Sequence, residues 1–187
     1  MLPFPWSFFR PAEPPPTLAD GRPLRILPVT PAARALIVRG LASISPETSR
    51  RRFFTVRRQF SDAELDALTN LDGDARFALG ATVRAADGGA EPVGIARFAR
   101  LVETPAVAEI AILVVDAFQG QGVGRLLLKR LATAALARGI ARFRGIVQPD
   151  NRPVIRLLTQ YAAGPRIVSQ GELLAIDVDL AAARPAA

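Results

Sequence analysis

The residues best placed to do chemistry are Glu109 and the glycine-rich run Gln119-Gly120-Gln121-Gly122-Val123-Gly124 that follows it. The run separates two kinds of periodicity. Ala108 to Val115 is apolar and rich in β-branched residues, as in a buried strand. Val123, Leu127, Leu131 and Ala134 then recur at helical spacing until Arg138-Gly139, a basic last turn and a stop. Closely spaced glycines where a strand becomes a helix let backbone N–H groups face outward with no Cβ in the way. With the helix N-terminus they form a nest for an anion, most often a phosphate. The competing reading is a plain tight turn. Glu109 is a carboxylate among alanines, valines and isoleucines, which is costly unless it is paired, hydrogen-bonded or facing a cleft. Burial there raises a carboxyl pKa, which suits a general base near neutrality. An amine nucleophile needs such a base, because an ammonium of pKa about 10.4 is almost wholly protonated at neutral pH. An ion pair with Arg97 or Arg84 on a neighbouring strand is the structural alternative for the same residue.

Other phosphate-binding glycine loops do not fit. A dinucleotide turn needs G-x-G-x-x-G, but counting from Gly120 the last position is Arg125, and from Gly122 it is Leu127. The acidic residue expected downstream for a ribose is missing, since Ile140 to Gly145 carries only arginines as charged residues. No Gly-Lys-Ser/Thr occurs for a Walker loop.

What remains, Q-x-x-G-x-G, resembles motif A of the GNAT superfamily of N-acetyltransferases, which cradles the pyrophosphate of coenzyme A. Ala108 to Gln119 looks like the strand that runs into that motif, and Asn151-Arg152-Pro153-Val154-Ile155-Arg156-Leu157-Leu158 like its downstream helix. Ser49-Arg50-Arg51-Arg52-Phe53-Phe54, Phe60-Ser61-Asp62-Ala63-Glu64-Leu65, Val93 to Arg97 and Glu109-Ile110-Ala111 resemble the acetyltransferase domain of bacterial Pat-type protein lysine acetyltransferases. The resemblance spans roughly Leu24 to Leu158. It implies acetyl-CoA as cofactor, Glu109 as catalytic base and a protein partner with an exposed lysine. It also implies that Ile112, Leu113 and Val114 offer main-chain groups to the pantetheine arm, with the Val114 N–H as a donor to the thioester oxygen. Gln119, Gly120, Gln121, Gly122, Val123, Gly124 and Arg125 are then phosphate-side residues.

Arg125 and Lys129 form an i,i+4 stripe that either meets phosphates or is solvated. Asn151 either contacts the cofactor or caps the helix ahead of Pro153. Leu158 stands where many superfamily members carry a tyrosine general acid, which Pat-type domains also lack, and Tyr161-Ala162-Ala163 replaces the usual Leu-Gly-Phe. A small-amine or N-terminal acetyltransferase and a non-catalytic acyl-CoA sensor are the rival functions.

These groups must be held by one α/β (α+β) domain. At 187 residues, half of them hydrophobic, the chain suits a single core. Leu24–Val29, Arg76–Arg84, Pro92–Leu101, Ala108–Val115, Arg142–Val147, Ile167-Val168 and Leu173–Val178 read as strands. Asp87-Gly88-Gly89 is a hairpin signal. Thr30-Pro31, Ser45-Pro46-Glu47 and Ser61-Asp62-Ala63-Glu64 open helices. The expected GNAT fold is a mixed central sheet of six to seven strands with helices on both faces, splayed between its fourth and fifth strands. Residues 22–187 form that domain behind a Pro-rich irregular tail, residues 1–21. No cysteine or histidine occurs, which removes thiol chemistry, triads and most zinc sites, and no metal is expected. Net charge is +7, nearly all arginine with Lys129 the one lysine, but the arginines are scattered among acids. That argues against nucleic acid and for a polyanionic cofactor or an acidic partner. The prolines of the first ten residues argue against a signal peptide, no run reaches a membrane span, and a cytoplasmic location is expected.

Overall fold

The computed structural model describes residues 15–162 and 164–182. Seven strands form one mixed sheet in the order β1-β2-β3-β4-β5-β7-β6. They are β1 (Arg25–Pro28), β2 (Arg76–Arg84), β3 (Ala90–Arg100), β4 (Val107–Val114), β5 (Arg142–Val147), β6 (Arg166–Gln170) and β7 (Leu173–Asp179). The helices are α1 (Arg34–Ala42), α2 (Pro46–Phe53), α3 (Asp62–Thr69), α4 (Val123–Leu136) and α5 (Arg152–Tyr161). Only β4 and β5 pair in parallel, through the crossover that α4 supplies. Helices cover both faces, as the sequence implies.

Alternation along the strands sets the layers. Phe77, Phe98 and Ile110 stand opposite one another across β2, β3 and β4, and Phe98 packs 6.2 Å from the Phe143 ring. Leu127, Leu128 and Leu131 of α4 close this core, all at 1% exposure or less. The opposite face carries Arg76, Arg97, Glu109 and Arg144, with α1 standing over its β1–β4 end.

Local signals explain most boundaries. Ser45 caps α2 by accepting from the Thr48 N–H, with Pro46 in the first turn. Ser61 and Glu64 close a capping box on α3. Gly88, at φ +83°, makes the β2–β3 turn. The helix expected from Thr30 starts as a 3-10 turn over Pro31–Ala33, where Thr30 offers no side-chain cap. Residues 1–14 of the expected tail lie outside the described residues. Leu18 is in the core, and the Leu24 N–H donates to the Pro16 carbonyl at 2.7 Å, so residues 16–24 turn back onto the body.

The parallel pairing ends early. Val107↔Arg142 through Ile110↔Gly145 are in register, after which β4 continues to Val114 and β5 to Val147 unpaired with each other. Leu158 of α5 lies over the last paired position, and a Cβ on Gly145 would sit 2.6 Å from Leu158 Cδ1. Gly145→Ala should therefore destabilise by about 1–3 kcal/mol, the usual range for overpacking. In denaturant unfolding the penalty should shrink in a Leu158→Ala background, since the two positions couple directly. Equal penalties in both backgrounds would show that the glycine is not there to admit Leu158.

Candidate active site

Past Ile110 and Gly145, the separated strands line a cleft of ≈ 570 Å³ with the glycine-rich turn at one end and Glu109 on its wall. Gly120 and Gly122 adopt φ +76° and +80°, which L side chains enter only with strain. Gly122 is also the N-cap of α4. Nothing lies within 4 Å of where their Cβ atoms would be, and no group among the described residues accepts from the N–H of Gly120, Gln121 or Gly122. Open space above free donors at a helix N-terminus is the geometry that an anionic group fills.

The wall of the cleft is main chain. Val115 donates to Val93, so hydrogen-bonded pairs of the antiparallel β3–β4 ladder continue at Leu113↔Ile95 and Ala111↔Arg97. The alternate residues Ile112 and Val114 turn their N–H groups away from β3, to the side that β5 has left. The Val114 carbonyl is taken by the Gln119 side-chain amide at 3.1 Å, which leaves its N–H facing the cleft. Leu113 was expected to offer main-chain groups as well, but the ladder engages them with β3, and it lines the cleft otherwise.

Ile112, Val114, Gln119, Gly120, Gly122, Val123, Gly124, Arg125 and Asn151 all line the cleft. Gln121 does not. Its side chain accepts from the Ala19 N–H and donates to the Ala117 carbonyl, so it fastens residues 16–24 to the turn. Lys129 is exposed on α4, off the cleft wall. Asn151, 5% exposed, lines the cleft and also caps α5, accepting from the Val154 N–H at 3.4 Å.

Thr48, Arg51, Arg52 and Phe54 of the α2 segment form the roof. Sequence reasoning had the segment as a resemblance but gave it no place in the site. Arg51 Nε is the one buried side-chain nitrogen or oxygen without a partner among the described residues. It lies on a cleft-lining side chain, where a ligand's polar group would satisfy it. Asp116 ties the roof to the turn after β4, accepting from the Ser45 N–H and the Thr48 hydroxyl.

Glu109 departs from expectation in being exposed. It lies on the sheet face that the α4 core does not use, in a row of facing residues: Arg76, Ala99, Glu109, Arg144, Asp177, Arg166. It forms no ion pair within 4 Å among the described residues, while Arg52, Arg97 and Arg144 attract it from further off. Arg84 stands at the β2–β3 turn, at the far end of β2, and takes no part. Leu158 lines the cleft, whereas Tyr161, the single tyrosine, packs against the core with its phenol pushed up by burial.

Residues 44–162 match the Acetyltransferase (GNAT) family, more than half of the chain, and the chain belongs to that family. It is 32% identical over 137 residues to the acetyltransferase Pat of Mycolicibacterium smegmatis, covering 73% of this chain but 40% of that protein. It is 30% identical over 136 residues to the acetyltransferase PA5475 of Pseudomonas aeruginosa, covering 73% and 72%. The crystal structure of the GNAT domain of S. lividans PAT superposes with a TM-score of 0.78 at 31% identity, over 88% of this chain and 94% of that one. The family is one of acetyltransferases, and acetyl-CoA is the cofactor that its fold uses. The open glycine nest, the free β4 donors and the orphaned Arg51 Nε fit such a molecule: a pyrophosphate at one end, amides along the arm. No described helix is long and apolar enough to cross a membrane, and no described cluster could hold a metal ion.

Saturating coenzyme A should raise the melting temperature, by mass action worth about 2.7 kcal/mol at a hundredfold excess over Kd. Gly122→Asp should lower the baseline through the φ +80° strain and abolish the ligand-induced shift through its charge. Gly122→Ala shares the strain without the charge and should keep part of the shift. A full shift in both variants would place the phosphates elsewhere.

Proposed function

We propose that this chain transfers the acetyl group of acetyl-CoA to a lysine ε-amine on a protein, by direct attack, with Glu109 as general base. The observation that carries the reading is a carboxylate with no close ion pair among the described residues, on the wall of the cleft that the Ile112 and Val114 N–H groups face. Bound there, acetyl-CoA supplies a thioester carbonyl. The chain's own residues orient and polarise it: the nest holds phosphate, and the Val114 N–H stabilises charge developing on the carbonyl oxygen. The amine nitrogen bonds to the carbonyl carbon as the carbon–sulfur bond breaks, Glu109 takes the amine's proton, and sulfur keeps the bonding pair. Water returns a proton to the thiolate, because the single tyrosine lies off the cleft.

The acceptor class rests on likeness and on the surroundings of Glu109. The Pat relatives support an amine on protein. The groove beside the cleft is lined mostly by apolar residues and arginines and, among the described residues, by no acid, which does not suit a polycationic small molecule. The single lysine of the chain, Lys129, is exposed on α4 away from the cleft wall. We place the reaction in the cytoplasm, where acetyl-CoA and protein lysines meet.

Two measurements test this. Glu109→Gln should keep coenzyme A affinity while turnover falls about 10²–10⁴-fold, the range for losing a general base; unchanged turnover would make Glu109 a structural residue. With labelled acetyl-CoA, a protein bearing surface lysines should gain acetyl groups while the enzyme's own intact mass stays nearly constant. Labelling of small amines alone would move the acceptor to that class, and binding without any turnover would leave an acyl-CoA sensor.

A further inference from the structure

A second cavity of ≈ 730 Å³ adjoins the cleft. It lies between α1 and the β1–β4 end of the sheet, and Leu36, Ile37, Leu41, Phe53 and Ile95 make its walls apolar. Arg52, Ala111 and Leu113 line both cavities, so the groove and the cofactor cleft meet at α2 and β4. Arg97 lines the groove at that same meeting, opposite Ala111 in the β3–β4 register.

Several neighbouring guanidiniums are held by carboxylates. Arg144 is held by both oxygens of Asp177, Arg76 by Asp72 and Arg50 by Asp150. Neither Arg52 nor Arg97 makes an ion pair or a side-chain hydrogen bond among the described residues; Arg52 rests 4.9 Å over the Phe53 ring. Burial and the like charge of Arg97 bring the Arg52 guanidinium down to about 10. Burial and Arg76 lower Arg97 in the same direction, and Glu109 opposes both shifts. One carboxylate against two half-buried cations leaves a positive excess, with donors at the meeting of groove and cleft that are free to take an anion.

We propose that Arg52 and Arg97 form a carboxylate clamp for the acceptor, so that the molecule acetylated beside Glu109 carries a carboxylate next to its reacting amine. Guanidinium forks match a carboxylate in two parallel hydrogen bonds, which fixes orientation as well as affinity. If the acceptor is a protein lysine, as proposed above, the carboxylate is an Asp or Glu side chain beside that lysine. The apolar groove then receives a neighbouring hydrophobic side chain.

The test uses matched pairs of acceptors with labelled acetyl-CoA: a Glu-Lys against a Gln-Lys peptide, and phenylalanine against phenethylamine. The carboxylate-bearing member should be favoured about 10- to 100-fold in kcat/KM, mostly through KM, as expected for charge-assisted hydrogen bonds. In Arg97→Gln that ratio should fall towards one while KM for acetyl-CoA holds, and Arg97→Lys should recover only part of it. Calorimetry on the coenzyme A complex gives a readout without turnover, in which the Glu-Lys peptide should bind more tightly than the Gln-Lys peptide. Equal binding with no preference within either pair overturns the clamp. Peptide labelling without a preference for Glu sinks the clamp and keeps the lysine reading. Labelling confined to phenylalanine over phenethylamine keeps the clamp and sinks that reading.

Discussion

The reaction side of this fold depends on the short parallel pairing of β4 and β5, which part after Ile110↔Gly145. A continuous ladder would consume the N–H groups of Ile112 and Val114; the split leaves them facing open space. Unpaired main-chain donors carry a cost, so a molecule that lies along β4 and completes the ladder gains both hydrogen bonds and relief of that cost. Leu158 holds the split at its root. It is fully buried over Gly145, where any side chain on β5 would collide with it. The position that carries a catalytic tyrosine in many superfamily members is here part of the packing.

A cleft walled by main chain still needs a roof in the right place, and α2 is fixed from two directions. Asp116 reaches from the turn after β4 to the α2 N-terminus, and Gln119 reaches back to Asp116 and the Val114 carbonyl. From the other side, Arg50 spans to Gln148 and Asp150 on the loop after β5. The one ion pair among these contacts, Arg50–Asp150, is exposed, and such a pair adds little to stability, so its value is positional. The contacts keep the roof, with Arg51 and Arg52, above both diverging strands, where the cleft meets the apolar groove beside it.

Much of this was legible in the sequence, and the reason is local. Strand β2 shows at Arg76–Arg84 because its pattern and the hairpin glycines sit within a few residues of each other. The glycine turn is legible because positive φ restricts residue choice, and the caps of α2 and α3 because short-range hydrogen bonds demand Ser and Glu. What failed depends on facing. Glu109 has apolar neighbours in sequence, but its own face of the sheet is a row of charges, visible only once the register is known. Leu113 and Val114 look alike in the chain and differ only in which way the ladder turns them. Gln121, inside the motif, faces outward to hold Ala19, a contact across 102 positions. Arg52 and Arg97 are two arginines among many, and no sequence signal shows that neither has an ion pair among the described residues.

The charge around Glu109 also bears on how an amine can react there. Like charges disfavour one another, so on the proposed reading Arg52 and Arg97 push an entering lysine ammonium towards its neutral form, against the pull of Glu109. On the proposed reading that helps form the neutral amine that attack requires, and Glu109 accepts the proton that is released. The same repulsion opposes the entry of a bare cation. On that reading an acceptor that carries a carboxylate next to its amine removes the conflict, because the anion offsets the guanidiniums beside Glu109. In the proposed reading, the arginines that hinder a simple polyamine are the ones that admit a locally zwitterionic acceptor.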